Sequence, residues 1–368
     1  MRLLSLCLAL AACSTTTPIA PLQGDSGAGG GAPVDTGRTD GAGGTDGADG
    51  TDGADGADGS DGGDGSDGTE PDPPAQIVRF VAMGDGGEGN PDQYAVADAV
   101  RSVCEARATD EVDGPRAGCD FVLYLGDNFY DDGVDSVDDD QFQEKFELPY
   151  ADLDLPFYVV LGNHDYGVTS LEFWKSAYEI EYSDRSDKWN LPDEYYTFTA
   201  AHARFFGLDT NALMVESIWG DSDQDTWIDG QVAASTSDWH IAFGHHPYIS
   251  NGQHGNAGEY EGYDWLPIAN GASVRSFMDA HLCGQVDLYL AGHDHNRQWL
   301  EPSCGTEFIV SGAAAKTTDL EGRGTPTFFE DDRAEGFVWI ELRDDQLTGV
   351  FYDKSGVPDF DRTVTRAR

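Results

Sequence analysis

The chain has 368 residues, 39% of them hydrophobic, and a formal net charge of −47 at pH 7. This length accommodates one large domain with appendages, and the apolar fraction is sufficient for a sizeable core. The acidic balance argues against nucleic-acid binding, because contacts to phosphates require a basic surface. We interpret the charge as a solvated, soluble surface.

The first 13 residues have the features of a secretory leader. Arg2 precedes an apolar run over residues 3–12, which is shorter than the roughly 20 residues that a helix needs to cross a bilayer. A signal peptide is therefore expected. The sequence LAAC at residues 10–13 resembles the lipobox of bacterial lipoproteins, which implies lipidation of Cys13. Ser14 favours the outer membrane by the same resemblance, and an ordinary cleaved signal with an incidental cysteine is the alternative.

Residues 14–74 have no apolar periodicity and are predicted to form a disordered tether. Residues 45–68 repeat a unit of a small residue, Asp and Gly, so charge repulsion and glycine entropy both favour an extended chain. The repeat has no proline, unlike collagen, and no apolar position on which calcium-binding repeats could stack. The expected organisation is a signal peptide with lipobox at 1–13, a linker at 14–74 and a catalytic domain at 75–368.

From residue 75 onward, apolar strands alternate with helices, and five of the strands end alike. Each apolar run stops at a glycine that is followed at once by Asp, Asn or His. The runs are residues 77–83, 121–125, 157–161, 239–243 and 288–291. Continuous apolar runs predict buried strands, and ligands of open α/β sheets gather beyond the carboxyl ends of the strands. One sheet can therefore bring all five loops to one edge.

Further elements are predicted between and after these strands. Amphipathic patterns predict helices at residues 91–107, around 142–146, at 171–178 and at 224–234. In the first of these helices, Tyr94 is expected on or near one face with Val96 and Val100. Paired strands are expected at residues 195–199 and 203–208, and three more after the last motif at 308–310, 337–342 and 347–352. No second catalytic domain is predicted.

Four cysteines lie in the predicted domain, and two more, Cys7 and Cys13, lie in the leader. An even number suits an oxidising compartment. Sequence order suggests the pairs Cys104–Cys119 and Cys283–Cys304, although all three pairings are possible. No two of them have the short spacing of a zinc finger.

The glycine-terminated motifs occur in the order of the calcineurin-like metallophosphoesterases. They are GD at 84–85, GDNFY at 126–130, GNHD at 162–165, GHH at 244–246 and GHDH at 292–295. The chain resembles this family over residues 76–353, and Tyr130, three residues after Asp127, is similar to the ligand tyrosine of purple acid phosphatases of the tartrate-resistant type. The resemblance implies a four-layer α/β/β/α metallophosphoesterase sandwich.

The resemblance also implies a dinuclear centre. It assigns the first metal to Asp85, Asp127, Tyr130 and His295. It assigns the second metal to Asp127, Asn163, His245 and His293, so that Asp127 bridges the two. Carboxylates and a phenolate suit Fe³⁺, whereas an amide and imidazoles suit Fe²⁺, Zn²⁺ or Mn²⁺. A tyrosinate on Fe³⁺ implies the purple colour of the family.

Two metals roughly 3.5–4 Å apart can clamp a phosphoryl group and acidify a water. The resemblance therefore implies hydrolysis of phosphate monoesters by a metal-bound hydroxide at mildly acidic pH. His164 would steady the transferring group or protonate the leaving oxygen, and His254 would bind substrate. Gln253 replaces a glutamate of the mammalian members, which leaves the pH optimum open. Asp165 and Asp294 are expected to orient imidazoles.

Each residue alone has an ordinary interpretation, since an Asp or His after a strand is usually a turn or cap residue. His246 is expected only to line the site, and the segment at 312–316 approaches it only by analogy. A phosphodiesterase or nucleotidase of the same fold is an alternative, and a non-catalytic surface metal-binding module is another.

The expected partners are small phosphate esters, without nucleic acid. Membrane contact is expected only through a lipid on Cys13, and the chain is expected to be a monomer. The expected location is the outer membrane or cell surface, or otherwise the periplasm or medium.

Overall fold

The computed structural model describes residues 75–111, 114–219, 223–262 and 269–366. The predicted leader at residues 1–13 and the predicted tether at residues 14–74 lie outside the described residues and stay predictions. None of the described helices is both long enough and apolar enough to cross a bilayer.

The described strands are short, and the five motif strands end close to their predicted boundaries. In chain order they are β1 (Ile77–Met83), β2 (Thr109–Glu111), β3 (Gly114–Arg116), β4 (Phe121–Tyr124), β5 (Phe157–Val159), β6 (Trp189–Asn190), β7 (Tyr196–Ala200), β8 (Ala203–Gly207), β9 (Trp239–Phe243), β10 (Leu288–Ala291), β11 (Arg297–Ser303), β12 (Thr306–Ser311), β13 (Thr327–Asp331), β14 (Gly336–Arg343), β15 (Gln346–Asp353) and β16 (Pro358–Thr365). The α-helices are α1 (Pro91–Arg107), α2 (Ser176–Tyr182), α3 (Thr210–Trp219), α4 (Gln224–Ala234) and α5 (Ala272–Phe277). Single turns of 3₁₀ or π-helix form at Gln143–Glu147, His164–Tyr166, Phe173–Lys175, Tyr260–Gly262 and Met278–Leu282.

These strands form two large mixed sheets and a two-stranded antiparallel sheet of β2 and β3. The first sheet has the order β16-β15-β14-β1-β4-β5-β6, and the second has the order β13-β11-β12-β10-β9-β8-β7. The five motif strands are therefore divided, with β1, β4 and β5 in one sheet and β9 and β10 in the other. The expectation that one sheet carries all five loops is wrong. Within each sheet the motif strands are parallel, so their carboxyl ends still reach one edge.

The two sheets pack face to face through aromatic side chains. Phe205 of β8 meets the ring of Phe80 at 5.4 Å and the ring of Phe121 at 5.3 Å, both edge-on. Such pairs contribute roughly 0.5–1.5 kcal/mol each beyond the area that they bury. Helix α1 packs on the first sheet through Val100, and α3 and α5 belong to a second apolar cluster that contains Phe206 and other side chains of the second sheet. The predicted α/β fold is confirmed.

Helix α1 has the predicted bounds because its start is strongly specified. Asn90 caps it by accepting a hydrogen bond from Gln93 N at 2.9 Å, and Pro91 supplies a preset φ at the first position. Tyr94, however, is 40% exposed, so it lies outside the buried face that Val96 and Val100 share. It precedes the buried Val96 by two residues, and residues at that spacing do not share a helix face.

The prediction of three strands after the last motif is also wrong, because six form there. The missed strands are β11, β13 and β16, whose sequences mix charged and apolar residues. Arg297 in β11 is buried but pairs with Asp331 at 3.0 Å and with Asp359 at 2.6 Å. A buried charge is tolerated only when it is paired and hydrogen-bonded, and these partners are distant in sequence.

Both suggested disulfides form, Cys104–Cys119 and Cys283–Cys304, each with a Cα–Cα distance of 5.2 Å. The second pair is separated by 21 residues, so its loss frees a loop of that length in the unfolded chain. We expect the double variant Cys283→Ser/Cys304→Ser to be less stable by about 3 kcal/mol. Urea unfolding without reductant measures this difference. The Cys104→Ser/Cys119→Ser pair is the matched comparison, and an unchanged free energy of unfolding would contradict the prediction.

Candidate metal centre

The loops that follow the five motif strands are bonded to one another across the two sheets. Within the first sheet, Asp85 N donates to Gly126 O at 3.0 Å. Between the sheets, His245 Nδ1 donates to Leu125 O at 2.9 Å, and His293 N donates to Asp85 Oδ2 at 2.9 Å. The edge where the carboxyl ends of the strands meet is thus one hydrogen-bonded unit.

Three of the predicted ligands have left-handed backbone. The φ angles are 61° at Asp85, 53° at Asp127 and 69° at His293. Left-handed residues other than glycine are uncommon, and each costs about 1–3 kcal/mol, so this backbone persists only where the surroundings hold it. At Gly126, with φ 86°, a Cβ atom would lie 2.8 Å from both Gly162 N and the His245 ring, so glycine is needed there.

Three of the four donors expected for the first metal surround the hydroxyl of the fourth, Tyr130. Its Oη lies 2.9 Å from Asp85 Oδ1, 2.8 Å from Asp127 Oδ2 and 3.1 Å from His295 Nε2. Because a phenol has one proton, it cannot donate to three acceptors at once. A cation among these lone pairs would satisfy all of them, so the donor set fits a metal ion.

The donors expected for the second metal surround the ring of His245. Its Nε2 lies 3.0 Å from Asn163 Oδ1, 3.1 Å from His293 Nδ1 and 3.4 Å from Asp127 Oδ1. Asp127 therefore presents Oδ2 to the first cluster and Oδ1 to the second. That is the position a bridging carboxylate requires, and it makes the two clusters a candidate dinuclear centre.

The protonation of these groups follows from burial and from their mutual contacts. Burial acts to raise the pKa of Asp127, but the charge and hydrogen bond of His245, with a smaller effect of His164, hold that pKa well below its ordinary value. Burial acts to lower the pKa of His245, yet Asp127 and Asp85 raise it to about 9. Burial and the neighbouring imidazoles lower the pKa of His293 well below its ordinary value.

We expect metal binding at neutral pH to release about one proton, from His245. Without metal, His245 carries a proton below its pKa of about 9, and an imidazole must lose that proton to bind a metal. Affinity for Zn²⁺ should therefore rise roughly tenfold per pH unit between pH 6 and 8. Titration calorimetry in two buffers of different ionisation enthalpy measures the proton release. His240→Gln, outside the centre, should behave as the wild type, and pH-independent binding would contradict the expectation.

Each of the two predicted catalytic histidines packs against a predicted ligand. His164 Nδ1 donates to Asp131 O at 2.7 Å, and its ring lies 4.5 Å from the ring of Tyr130. His254 stacks on His293 with ring centres 3.9 Å apart. All nine predicted site residues thus lie in one region, while the individual roles of the nine stay predictions.

Two predicted supporting contacts are wrong. Asp165 bonds no imidazole; it accepts from the N–H groups of Gly162, Asn128 and Phe129 at 2.7, 2.8 and 3.1 Å. Asp294 likewise accepts from the backbone N–H of His254 at 2.7 Å. Buried loop N–H groups need acceptors, so these carboxylates hold the ligand loops rather than the rings.

His246 is buried beside the centre, and its expected role of lining the site stays a prediction. Its Nδ1 and Thr210 Oγ1 are 2.8 Å apart, and its ring lies 4.5 Å from that of His293. It therefore packs against His293, a predicted ligand.

Two charged residues beside the site had no role predicted from the sequence. Glu261 pairs through its carboxylate with His254 Nδ1, and its N–H donates to His254 O at 3.1 Å. Its left-handed φ of 56° creates this contact, and no motif marks it. Lys316 lies over the ring of Tyr130. It belongs to the segment 312–316, which the sequence analysis placed near the site only by analogy.

A model of the calcineurin-like phosphoesterases matches residues 78–297. The chain belongs to the calcineurin-like phosphoesterase family. This phosphoesterase is 30% identical to tartrate-resistant acid phosphatase type 5 of Sus scrofa over 328 residues, which cover 80% of this chain and 88% of that protein. The Homo sapiens protein of the same name is 28% identical over 324 residues, covering 78% of this chain and 91% of its own length. Purple acid phosphatase 4 of Arabidopsis thaliana is 30% identical over 312 residues, covering 77% and 82%.

Solved structures share the fold of this phosphoesterase. GAP50, described as the anchor in the inner membrane complex of Plasmodium, aligns with a TM-score of 0.61 at 21% identity, covering 80% of this chain and 90% of that chain. The purple acid phosphatase PPD1 from yellow lupin (Lupinus luteus) seeds aligns with a TM-score of 0.55 at 17% identity, covering 79% and 54%. At these identities the likeness shows the fold alone. With the family established, the phosphoesterase domain makes this chain an enzyme.

Proposed function

We propose that this enzyme hydrolyses phosphate monoesters at a dinuclear metal centre, as an acid phosphatase. The observation that carries the proposal is the position of Asp127, whose two oxygens face two separate donor clusters. The relatives that match most of this chain are named acid phosphatases, which supports the monoester reaction over other phosphoester chemistry.

The donor sets favour different cations in the two clusters. Asp85, Asp127 and Tyr130 offer hard, anionic oxygens, which suit Fe³⁺, whereas Asn163 and the two histidines suit Fe²⁺, Zn²⁺ or Mn²⁺. When bound, such a pair would acidify a water and neutralise charge on the phosphoryl oxygens. The protein contributes the rigid placement of these ligands on strand ends.

His164 is placed to move a proton. Because Asp131 O can only accept, Nδ1 of His164 carries a hydrogen, so Nε2 is the nitrogen that can take up or release a proton. We propose that Nε2 gives its proton to the leaving oxygen. The backbone N–H of His164 donates to Asp127 Oδ1 at 2.9 Å. This hydrogen bond holds the proposed proton donor next to the proposed bridging carboxylate.

Hydrolysis assays combined with metal analysis test the proposal. We expect the protein purified without added metal to hold two metals per chain, to absorb visible light, and to hydrolyse p-nitrophenyl phosphate faster than bis(p-nitrophenyl) phosphate. A colourless zinc or manganese protein that prefers the diester would instead indicate the phosphodiesterase alternative. Absence of hydrolysis with both metals bound would refute catalysis and indicate a metal-binding module.

We also propose that the enzyme is exported and anchored by a lipid on Cys13. The LAAC sequence at residues 10–13 supports this, as do the two disulfides, which suit an oxidising compartment. In a bacterial host, wild-type protein should label with radioactive palmitate and sediment with membranes. Cys13→Ser should do neither, and equal labelling of the two proteins would exclude lipidation at this residue.

A further inference from the structure

Lys316 lies directly over the aromatic face of Tyr130. Its Nζ is 3.2 Å from the ring centre, well within the roughly 6 Å at which an ammonium is attracted to a ring. The same Nζ is 2.6 Å from Glu88 Oε1. The side chain of Lys316 is 29% exposed, and Tyr130 is 4% exposed, so the contact is largely shielded from water.

The segment that carries Lys316 is tied to the candidate metal centre through its backbone. Ala314 N donates to Gly84 O at 3.1 Å, and Thr318 N donates to His295 O at 2.9 Å. Asn90 Nδ2 donates to Ala315 O at 2.9 Å. These bonds lie on both sides of Lys316 and hold its backbone beside the centre, while Glu88 holds its ammonium.

No other Lys or Arg of the described residues lies within cation–π reach of the Tyr130 ring. The further ring neighbours are His164, with a centre-to-centre distance of 4.5 Å, and His295 at 6.0 Å. At the other end of the side chain, Oη lies within 2.9 Å of carboxylate oxygens of Asp85 and Asp127. Ionised Tyr130 would therefore place a third negative charge beside two others.

We propose that Lys316 is the charge partner of the Tyr130 phenolate, a positioning residue that stabilises this ligand in its ionised form. The inference rests on the proposed function, because it requires Tyr130 to bind a cation as phenolate. An ammonium over a ring is attracted to its π face, and the attraction grows when the ring bears a full negative charge. Glu88 holds the ammonium in place and partly offsets its charge.

The proposal predicts the direction of a spectral shift. A tyrosinate-to-Fe³⁺ transition moves electron density from the ring toward the metal. The ammonium therefore stabilises the ground state more than the excited state, which raises the transition energy. Removing the charge should lower that energy, whereas removing the carboxylate that offsets it should raise the energy further.

The test is the visible spectrum of three variants, with metal content and thermal melting recorded for each. We expect Lys316→Met to shift the band to longer wavelength by an amount on the order of 10 nm or more. Lys316→Arg keeps the charge and should leave the band near its wild-type position. Glu88→Gln should shift the band to shorter wavelength, and it provides a second measurement if Lys316→Met does not fold.

The outcomes separate the two proposals. A coloured wild type whose band is unmoved in Lys316→Met overturns the role of Lys316 and leaves the proposed function intact. An unmoved band with a raised KM overturns it too, and would make Lys316 a substrate contact. A colourless, zinc-loaded or manganese-loaded wild type overturns the iron assignment and this inference together.

Discussion

Asp127→Ala is expected to lower kcat/KM for p-nitrophenyl phosphate by roughly a thousandfold or more, since loss of a single preorganised group at a reacting centre already costs 10²–10³-fold. This carboxylate faces both donor clusters, so its removal takes one ligand from each. The buried His245 also loses its charged partner at 3.4 Å. We therefore expect fewer than two metals per chain, measured by elemental analysis beside the steady-state assay.

Asp132→Ala is the matched control for Asp127→Ala, because Asp132 is an exposed aspartate five residues along the chain. It should keep both metals and nearly full turnover. Wild-type turnover by Asp127→Ala would contradict the dinuclear reading outright. If Asp127→Ala kept both metals but lost turnover, Asp127 would act in the reaction without binding metal. That outcome would contradict its bridging position.

Asp165→Ala is expected to lower the free energy of unfolding by about 3–5 kcal/mol and kcat by about a hundredfold. Asp165 accepts three backbone N–H bonds and a fourth from Asn128 Nδ2 at 3.0 Å. Without it these buried donors lose their acceptor, and the loops that carry Asp127 and Asn163 lose the group that joins them. Urea unfolding and steady-state kinetics measure the two effects.

Asp165→Asn separates charge from shape. Each carboxylate oxygen of Asp165 accepts hydrogen bonds from two N–H groups. In Asp165→Asn an NH₂ group replaces one of these oxygens, and because NH₂ only donates, two N–H groups lose their acceptor. We expect only partial recovery relative to Asp165→Ala. Asp154→Ala, at an exposed position, should change stability by no more than about 0.5 kcal/mol. Full stability of Asp165→Ala would show that these loops do not depend on the carboxylate.

Much of the fold was predictable because it depends on local patterns. The five motif strands are continuous apolar runs, and each ends within two residues of its predicted boundary. Helix α1 was predictable from a capping Asn90, the following proline and a regular apolar face. The pairs Cys104–Cys119 and Cys283–Cys304 are close in sequence, and sequence order already favoured them.

Less predictable elements have weak local signals and strong distant partners. Strand β16 alternates exposed and half-buried residues, and its place in the sheet comes from pairing along β15. Gln298 in β11 is buried, but its amide bonds to Ser250 Oγ at 2.8 Å, across many intervening residues. The sequences of such strands resemble those of polar loops, and only the pairing with a distant strand or side chain identifies them as strands.

The sequence by itself determined which donors are present and in what order, because each lies within four residues after a glycine that ends an apolar strand. Only the tertiary structure decided that these donors come from two sheets and converge around Asp127. It also assigned Asp165 and Asp294 to the backbone of the ligand loops, and placed Lys316 on the ring of Tyr130. Local pattern specifies an element and its ending residue, whereas contacts between elements depend on how sheets pack, and that packing has no short-range signature in the chain.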